Sequence, residues 1–112
     1  MNLIQKDMGD VTILQVEGMI SGEEGEDLRD RIRNLVAAAR TKVVLDLARV
    51  SWINSSGLGT LHHCLGDIRE AGGSFKLTNV NPRVRQVLSV SRFDTIFESY
   101  SDVRGALASF YR

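Results

Sequence analysis

Two adjacent serines, Ser55 and Ser56, are the residues best placed to do chemistry, within the run Asn54-Ser55-Ser56-Gly57-Leu58-Gly59. Asn and Ser are favoured at helix N-caps, because a short side-chain oxygen accepts a hydrogen bond from an unpaired first-turn amide. The same amides and the helix dipole accommodate an added anion, such as a phosphate on either hydroxyl. From these residues alone, the pair is either a structural helix cap or a modification site.

Catalytic, nucleotide and metal chemistry are not supported by the neighbouring residues. Neither serine lies in a Gly-x-Ser-x-Gly elbow, and the Gly57-Leu58-Gly59 spacing lacks the third glycine of a dinucleotide loop. The run His62-His63-Cys64 includes both histidines of the chain. Successive helical side chains point about 100° apart, so these three cannot converge on one ion. We therefore predict no enzymatic activity, no cofactor and no metal.

A strand and a helix must position the serines. Residues 43–47 are nearly all apolar and rich in β-branched side chains, which is typical of a strand buried on both faces. After the serines, apolar residues recur at helical spacing and predict a helix from Ser56 to Ala71, ending at Gly72-Gly73. The apolar residues of this helix are Leu58, Leu61, Leu65 and Ile68. Trp52, between the strand and the serines, is either a core anchor or an exposed contact.

The first part of the chain predicts a hairpin and a helix. Residues 2–8 are predicted to be a first strand or an arm, and residues 11–17 a strand that follows a Gly9-Asp10 turn and ends at Gly18. Ser21 and Glu24 fit a capping box at the start of a helix. The apolar stripe of that helix is Leu28, Ile32, Leu35, Val36 and Ala39.

The last part continues the alternation of strands and helices. Residues 75–78 predict a short strand, Pro82 suits the first turn of a third helix, and residues 95–97 predict a last edge strand. Ser101-Asp102 is predicted to cap a final helix. The inward residues of these two helices are Val84, Val87 and Leu88, then Val103, Ala106, Leu107 and Phe110. We predict one α/β domain over residues 1–112, with a small mixed sheet of about four or five strands packed against about four helices.

Composition narrows the class of protein. A chain of 112 residues can bury one modest core. Its 14 basic and 14 acidic residues cancel, so the charge balance does not argue for binding to nucleic acid, which needs a concentrated basic face. The lone Cys64 excludes an intrachain disulfide and fits a reducing cytosol. No segment approaches the roughly 20 apolar residues of a membrane span, and the start of the chain does not resemble a signal peptide. We expect a cytoplasmic protein that binds neither nucleic acid nor membrane.

The run VVLDLARVSWINSSGLGTL, residues 43–61, resembles the signature of the STAS domain, in particular that of the small single-domain anti-sigma factor antagonists. The core Asn-Ser-Ser-Gly-Leu-Gly, set between a strand and a helix, is the most specific part. The resemblance covers most of the chain and includes the Gly18 turn, the Ala71-Gly72-Gly73 turn, the Asn79-Val80-Asn81-Pro82 link with residues 84–88, and the terminal helix.

The resemblance implies a binding switch. In this family the unphosphorylated protein binds an anti-sigma factor, a serine kinase with a histidine-kinase-like ATPase fold, and so releases a sigma factor. Phosphorylation of the first serine of the pair ends the binding, which makes Ser55 the implied phosphorylation site here and Ser56 a cap or the start of the helix. A phosphatase would reset Ser55. The implied partner-binding residues are Asn54, Ser55, Ser56, Gly57, Leu58 and Ser21.

Two positions depart from the family pattern. The family commonly has Asp where this chain has Asn54, and an acidic residue where it has Ser21. Both changes remove negative charge near Ser55. With less like-charge repulsion a phosphate is easier to hold; equally, the partner loses acidic contacts that would position the hydroxyl. Two other functions stay open: a non-phosphorylated STAS subunit of a stressosome-like or lipid-transport ABC complex, and a small-ligand or nucleotide sensor.

Overall fold

The computed structural model of the protein describes residues 2–111, apart from the side chain of Glu24. Its elements follow in chain order: β1 Asn2–Met8, β2 Val11–Ile20, α1 Gly22–Ala37, β3 Lys42–Ile53, α2 Ser55–Glu70, β4 Ser74–Thr78, α3 Pro82–Val90, a 3-10 turn Phe93–Thr95, β5 Glu98–Tyr100 and α4 Val103–Ser109. Within residues 2–111, no helix is long and apolar enough to cross a membrane.

The five strands form one sheet in the order β1-β2-β3-β4-β5. β1 runs antiparallel to β2 across the predicted turn, with Met8 opposite Val11, and the remaining neighbours are parallel. Because parallel strands end at the same edge, the helices that follow β2, β3 and β4 all begin at that edge. The predicted α/β class, mixed sheet and set of helices are confirmed.

The main core lies between one face of the sheet and helices α1, α2 and α3. β3 is the central strand, as predicted, and four of the residues in its predicted core run 43–47 are buried, Asp46 being half-buried. The predicted apolar residues of α2 are also buried and are joined by Cys64: Leu58, Leu61, Cys64, Leu65 and Ile68. Each fully buried Leu or Ile contributes about 1.5–3 kcal/mol by its removal from water.

The opposite face of the sheet is covered by α4 around Val11, Ile13, Val44 and Ala106. Lys76 of β4 points into this contact and is 6% exposed. Its Nζ lies 3.1 Å from Glu98 Oε2 and 3.9 Å from the centroid of the Phe110 ring, and it donates a hydrogen bond to Ser109 Oγ. One buried ammonium therefore ties β4, β5 and the end of α4 together.

Two strands extend beyond their predicted ends. β2 does not stop at Gly18 but continues to Ile20, and Gly18 adopts a φ of +107° inside the strand. β3 continues past Leu47 to Ile53. The two extensions pair with each other through register shifts, so the regular alternation that identifies a strand in sequence is lost there.

Two smaller predictions at the ends of elements were wrong. The last strand is Glu98–Tyr100 instead of residues 95–97, because the preceding 3-10 turn directs Phe97 into the core, where it is 5% exposed. Ala39 does not extend the apolar stripe of α1, because the helix ends at Ala37 and Ala39 is exposed with a φ of +60°. The starts of the last two helices were predicted correctly: Pro82 opens α3, and Asp102 caps α4 by accepting from Gly105 N at 2.8 Å.

Candidate functional site

Three helix N-caps stand side by side at the carboxyl edge of the sheet: Ser21, Asn54 and Asn81. Asn54 Oδ1 accepts a hydrogen bond from Gly57 N at 2.7 Å. Asn81 Oδ1 accepts from Val84 N at 2.8 Å, while its Nδ2 donates to Val50 O at 2.7 Å. The side-chain amide of Asn81 therefore binds the α3 terminus to the strand that leads to the serines.

The predicted capping box at Ser21 is not formed by the Ser21 side chain. Ser21 occupies the N-cap position of α1, but its hydroxyl makes no capping hydrogen bond. Its carbonyl accepts from Gly25 N at 2.7 Å, which is the ordinary first bond of the helix. The other predicted member, the Glu24 side chain, lies outside the described part of the structure.

Ser55 and Ser56 are the first two residues of α2, and both are exposed. The helix begins at Ser55, one residue earlier than predicted, and its N-cap is Asn54. Ser56 is therefore neither the cap nor the first residue of the helix but its second residue. The amides of Ser55 and Ser56 begin the helix, where amides have no acceptor within the helix. Both hydroxyls thus stand at the positive end of the α2 dipole.

Gly57 holds the serines against the end of β2. A Cβ at this position would lie 2.2 Å from the carbonyl oxygen of Ile20, so no side chain fits. The same carbonyl accepts from Asn54 N at 3.3 Å. Gly57 and Leu58 were both assigned to the partner surface from sequence, yet both are buried, Leu58 with 4% exposure. They position Ser55 and Ser56 but offer no exposed side chain.

A groove of about 240 Å³ lies between α1 and α2 next to Ser56. The helices approach closely there because α1 presents two glycines: a Cβ on Gly22 would lie 3.0 Å from Ser56 Cβ, and one on Gly25 would lie 2.5 Å from Thr60 Oγ1. The remaining lining residues are Glu26, Arg29, Gly59 and His63. Sequence reasoning missed this approach, although the Gly22/Gly25 spacing on the helix was a signal for it.

The sequence immediately on either side of Ser55 has no charged residues. Residues 50–61 include no Asp, Glu, Lys or Arg, and the first turn of α2 has no acidic residue. The nearest charged positions along the chain are Arg49, on the strand, and Asp67, on the helix. Ser55 therefore presents a neutral hydroxyl on a neutral stretch of chain.

The side chains of His62, His63 and Cys64 occupy three different environments. The His62 ring lies 5.6 Å from the Phe93 ring, centroid to centroid, whereas His63 lines the groove beside α1. Cys64 is buried, and burial, assisted by the nearby Asp67 carboxylate, raises the pKa of its thiol to about 12. A thiol with this pKa is neither a good nucleophile nor a ready metal ligand at neutral pH.

Of the two roles proposed for Trp52, the structure shows the exposed one. Its side chain is 37% exposed, and its register partner on β2 is Met19, which is 36% exposed. The residues that follow them, Ile20 and Ile53, are fully buried register partners. An exposed apolar pair therefore stands at the end of the strands, just before Asn54 and Ser55.

Known proteins resemble this chain in sequence and in overall fold. BtrV of Bordetella bronchiseptica, which is assigned as an anti-sigma factor antagonist, is 28% identical over 110 residues, covering 98% of this chain and 95% of BtrV. The crystal structure of a Thermotoga maritima protein with the same assignment has a TM-score of 0.92 at 27% identity, covering 98% of this chain and 95% of that one.

More distant structures share the fold. The anti-sigma factor antagonist SpoIIAA of Bacillus has been solved unphosphorylated and phosphorylated, with TM-scores of 0.76 and 0.74 at 17% identity. The alignments cover 99% and 97% of this chain and 98% and 99% of SpoIIAA, respectively. The sequence pattern of the STAS domain matches residues 3–106. The chain belongs to the STAS domain family.

Proposed function

We propose that this protein is an anti-sigma factor antagonist whose binding is switched off by phosphorylation of Ser55. In the unphosphorylated form it binds an anti-sigma factor, a serine kinase with a histidine-kinase-like ATPase fold, and a sigma factor is released. The observation that carries the proposal is the exposed position of Ser55 at the first residue of α2, directly after the Asn54 cap. The assignment of its relatives as anti-sigma factor antagonists supports the choice of partner.

The kinase supplies ATP and Mg²⁺, and this chain supplies the acceptor. Ser55 Oγ attacks the γ-phosphorus of ATP, the bond from that phosphorus to ADP breaks, and the hydroxyl proton passes to a base on the kinase. Accurate positioning of the acceptor lowers the barrier of such a transfer. The Asn54 cap and the Gly57 contact with Ile20 provide that positioning.

A phosphate on Ser55 is compatible with the fold but not with a closely packed partner. It adds about −1.5 to −2 charges, and the α2 dipole favours negative charge at its N-terminus. In an interface built around a neutral hydroxyl, the phosphate must lose its hydration without a partner, which costs several kcal/mol. A loss of about 4 kcal/mol weakens binding roughly a thousandfold. SpoIIAA, with the same fold, has been solved with and without phosphate.

The two departures from the family pattern lie at adjacent helix N-caps. Asn54 provides the cap acceptor that an aspartate would provide, so the geometry of the first turn is kept and only a charge is lost. Asn54→Asp separates the two consequences of that loss. Faster phosphorylation would show that the kinase uses the acid for recognition, and slower phosphorylation would show that like-charge repulsion dominates.

Phosphate mapping after incubation with the kinase tests the proposal. The purified chain is incubated with the purified anti-sigma factor and Mg-ATP, and the modified residue is located by mass spectrometry. We expect one phosphate on Ser55, none on Ser55→Ala, and an unchanged yield on the matched control Ser56→Ala. If wild type stays unmodified while it binds the partner, the scaffold function replaces the switch. A phosphatase that removes the group would complete the cycle.

A further inference from the structure

The carboxyl ends of β2 and β3 form a two-stranded extension beyond the rest of the sheet. The ladder between β3 and β4 ends at the pair Asp46 and Thr78, and the described part of β1 begins opposite Glu17. From Gly18 and Val50 onward, therefore, the two described strands pair only with each other. The extension is held in place by Asn81 Nδ2, which donates to Val50 O, and by Asn54 N, which donates to Ile20 O.

Met19 and Trp52 are the exposed residues at one register position of this extension. A register shift precedes Met19, which pairs with Trp52, while the next pair, Ile20 and Ile53, faces the core. More than a third of each exposed side chain is accessible to solvent, at 36% and 37%. Trp and Met are enriched in protein–protein interfaces, and Trp is especially frequent among the residues that dominate binding energy.

The extension leads directly to Ser55 along the chain, and the two stretches of sequence that carry them lack charged residues. Residues 18–22 and residues 50–61 carry no Asp, Glu, Lys or Arg, although a quarter of the whole chain is charged. Depletion of charged residues marks the core of an interface more clearly than apolar content does. The carbonyl of Ile20 accepts from Asn54 N, so the backbone next to Met19 is hydrogen-bonded directly to the backbone next to Ser55.

We propose that Trp52 and Met19 are the apolar anchor of the interface gated by Ser55, and that the anti-sigma factor covers them with an uncharged, apolar cleft. This inference rests on the proposed function. Two part-buried side chains expose far less than the roughly 800 Å² per partner of a stable interface. They must therefore belong to a larger contact, and the uncharged stretch of chain that follows Trp52 leads directly to Ser55.

The anchor explains why a single phosphate can act as a complete switch. When the partner covers Trp52 and Met19, it also excludes water from the neighbouring Ser55. A phosphate in that position must be desolvated beside neutral groups, which is far more costly than at a wet interface rim. Burial of the apolar pair and sensitivity to phosphorylation thus have the same physical origin.

Trp52 provides its own probe, because it is the single tryptophan of the chain. We would titrate this protein with a purified anti-sigma factor whose tryptophans have all been replaced by phenylalanine. The fluorescence emission of Trp52 and its quenching by acrylamide are recorded during the titration. We expect emission to move to shorter wavelength and quenching to fall on binding. Trp52→Ala and Met19→Ser should each raise Kd at least about tenfold. Val90→Ala, a control at an apolar residue of α3 that is 78% exposed, should change Kd less than about twofold.

The outcomes separate this inference from the proposed function. If Ser55→Asp weakens binding while both anchor variants bind like wild type and Trp52 stays quenchable, the anchor is wrong and the switch stands. If neither wild type nor any variant binds, both are wrong. An emission shift that follows chain concentration without partner would make the pair a self-association surface and overturn the inference. Circular dichroism checks that each variant is folded. If Trp52→Ala does not fold, the Kd of Met19→Ser and the acrylamide quenching of the wild-type protein test the anchor instead.

Discussion

Asn54 Oδ1 accepts a hydrogen bond from Gly57 N at 2.7 Å, and this one contact closes the turn that carries both serines. Ser55 and Ser56 lie between the two bonded residues, so their backbone is fixed without the use of either hydroxyl. Asn54 is therefore the structural member of the run, and Ser55 is left free for chemistry.

The cap predicts a difference in stability between neighbouring substitutions. Asn54→Ala removes the acceptor for Gly57 N and should lower the free energy of unfolding by about 1 kcal/mol. Ser56 is exposed and lies two residues after Asn54, so Ser56→Ala should change the free energy of unfolding by less than about 0.5 kcal/mol. Urea unfolding followed by circular dichroism measures both. A larger loss for Ser56→Ala than for Asn54→Ala would show that the cap has been assigned to the wrong residue.

Two glycines of α2 predict opposite effects of the same substitution. Gly57→Ala places a methyl group 2.2 Å from the Ile20 carbonyl and must displace backbone, so it should cost about 1–3 kcal/mol. Gly59→Ala meets nothing within 4 Å and should stabilise the helix by about 0.5–1 kcal/mol. Thermal unfolding of the two variants makes the comparison. Equal effects would contradict the close contact between α2 and β2.

The contacts of the buried Lys76 side chain are expected to stabilise the packing of α4 on the sheet. Lys76→Ala removes the contacts to Glu98, Ser109 and Phe110 and should cost about 2 kcal/mol. Lys76→Met should cost less, because it keeps most of the volume and needs no partner for a charge. Lys6→Ala, at an exposed position of β1, is the control. Unfolding free energies are again the measurement, and a neutral Lys76→Ala would rule out this role.

The Cys64 thiol predicts a dependence of stability on pH. Its pKa is raised by burial from 9.0 to about 12, so above pH 9 the thiol ionises in the unfolded chain but stays protonated in the folded one. The unfolded state then binds fewer protons, and stability must fall as pH rises from 9 towards 12. Urea unfolding between pH 8 and pH 10.5 should show a fall that is smaller in Cys64→Ala. If the free energy of unfolding falls equally with pH in wild type and Cys64→Ala, Cys64 is not the source of the pH dependence.

The same burial predicts that the thiol is protected in the native state. At pH 8 the folded protein holds Cys64 protonated and inaccessible, so alkylation by iodoacetamide should occur only when the chain opens. Mass spectrometry should find the native protein unlabelled and the protein in urea labelled once. Rapid labelling of the native form would place Cys64 at the surface and contradict the packing of α2.

The elements predicted correctly are those whose signals are local. Leu61, Leu65 and Ile68 recur at helical spacing, Gly9-Asp10 is a turn pair, and Pro82 suits a first helical turn, so each identifies its element without the rest of the fold. The stretches beyond Gly18 and Leu47 were missed because irregular pairing leaves no alternation to read.

At the candidate site, the sequence-based predictions failed for a different physical reason. Asn54, Ser55 and Ser56 are all acceptable N-cap residues, and only the path of the backbone decides that Asn54 is the cap. The burial of Gly57 depends on the Ile20 carbonyl, which lies far away in sequence. The exposure of Trp52 likewise follows from its pairing with Met19 and not from its own type.

The affinity of Ser55-phosphorylated protein for the purified anti-sigma factor tests the central claim most directly. Protein phosphorylated only on Ser55 and unmodified protein are titrated calorimetrically against the same partner in the absence of ATP. We predict that the phosphate raises Kd roughly a thousandfold, and that Ser55→Ala binds like the unmodified protein. Equal affinity of the phosphorylated and unmodified forms would contradict the switch.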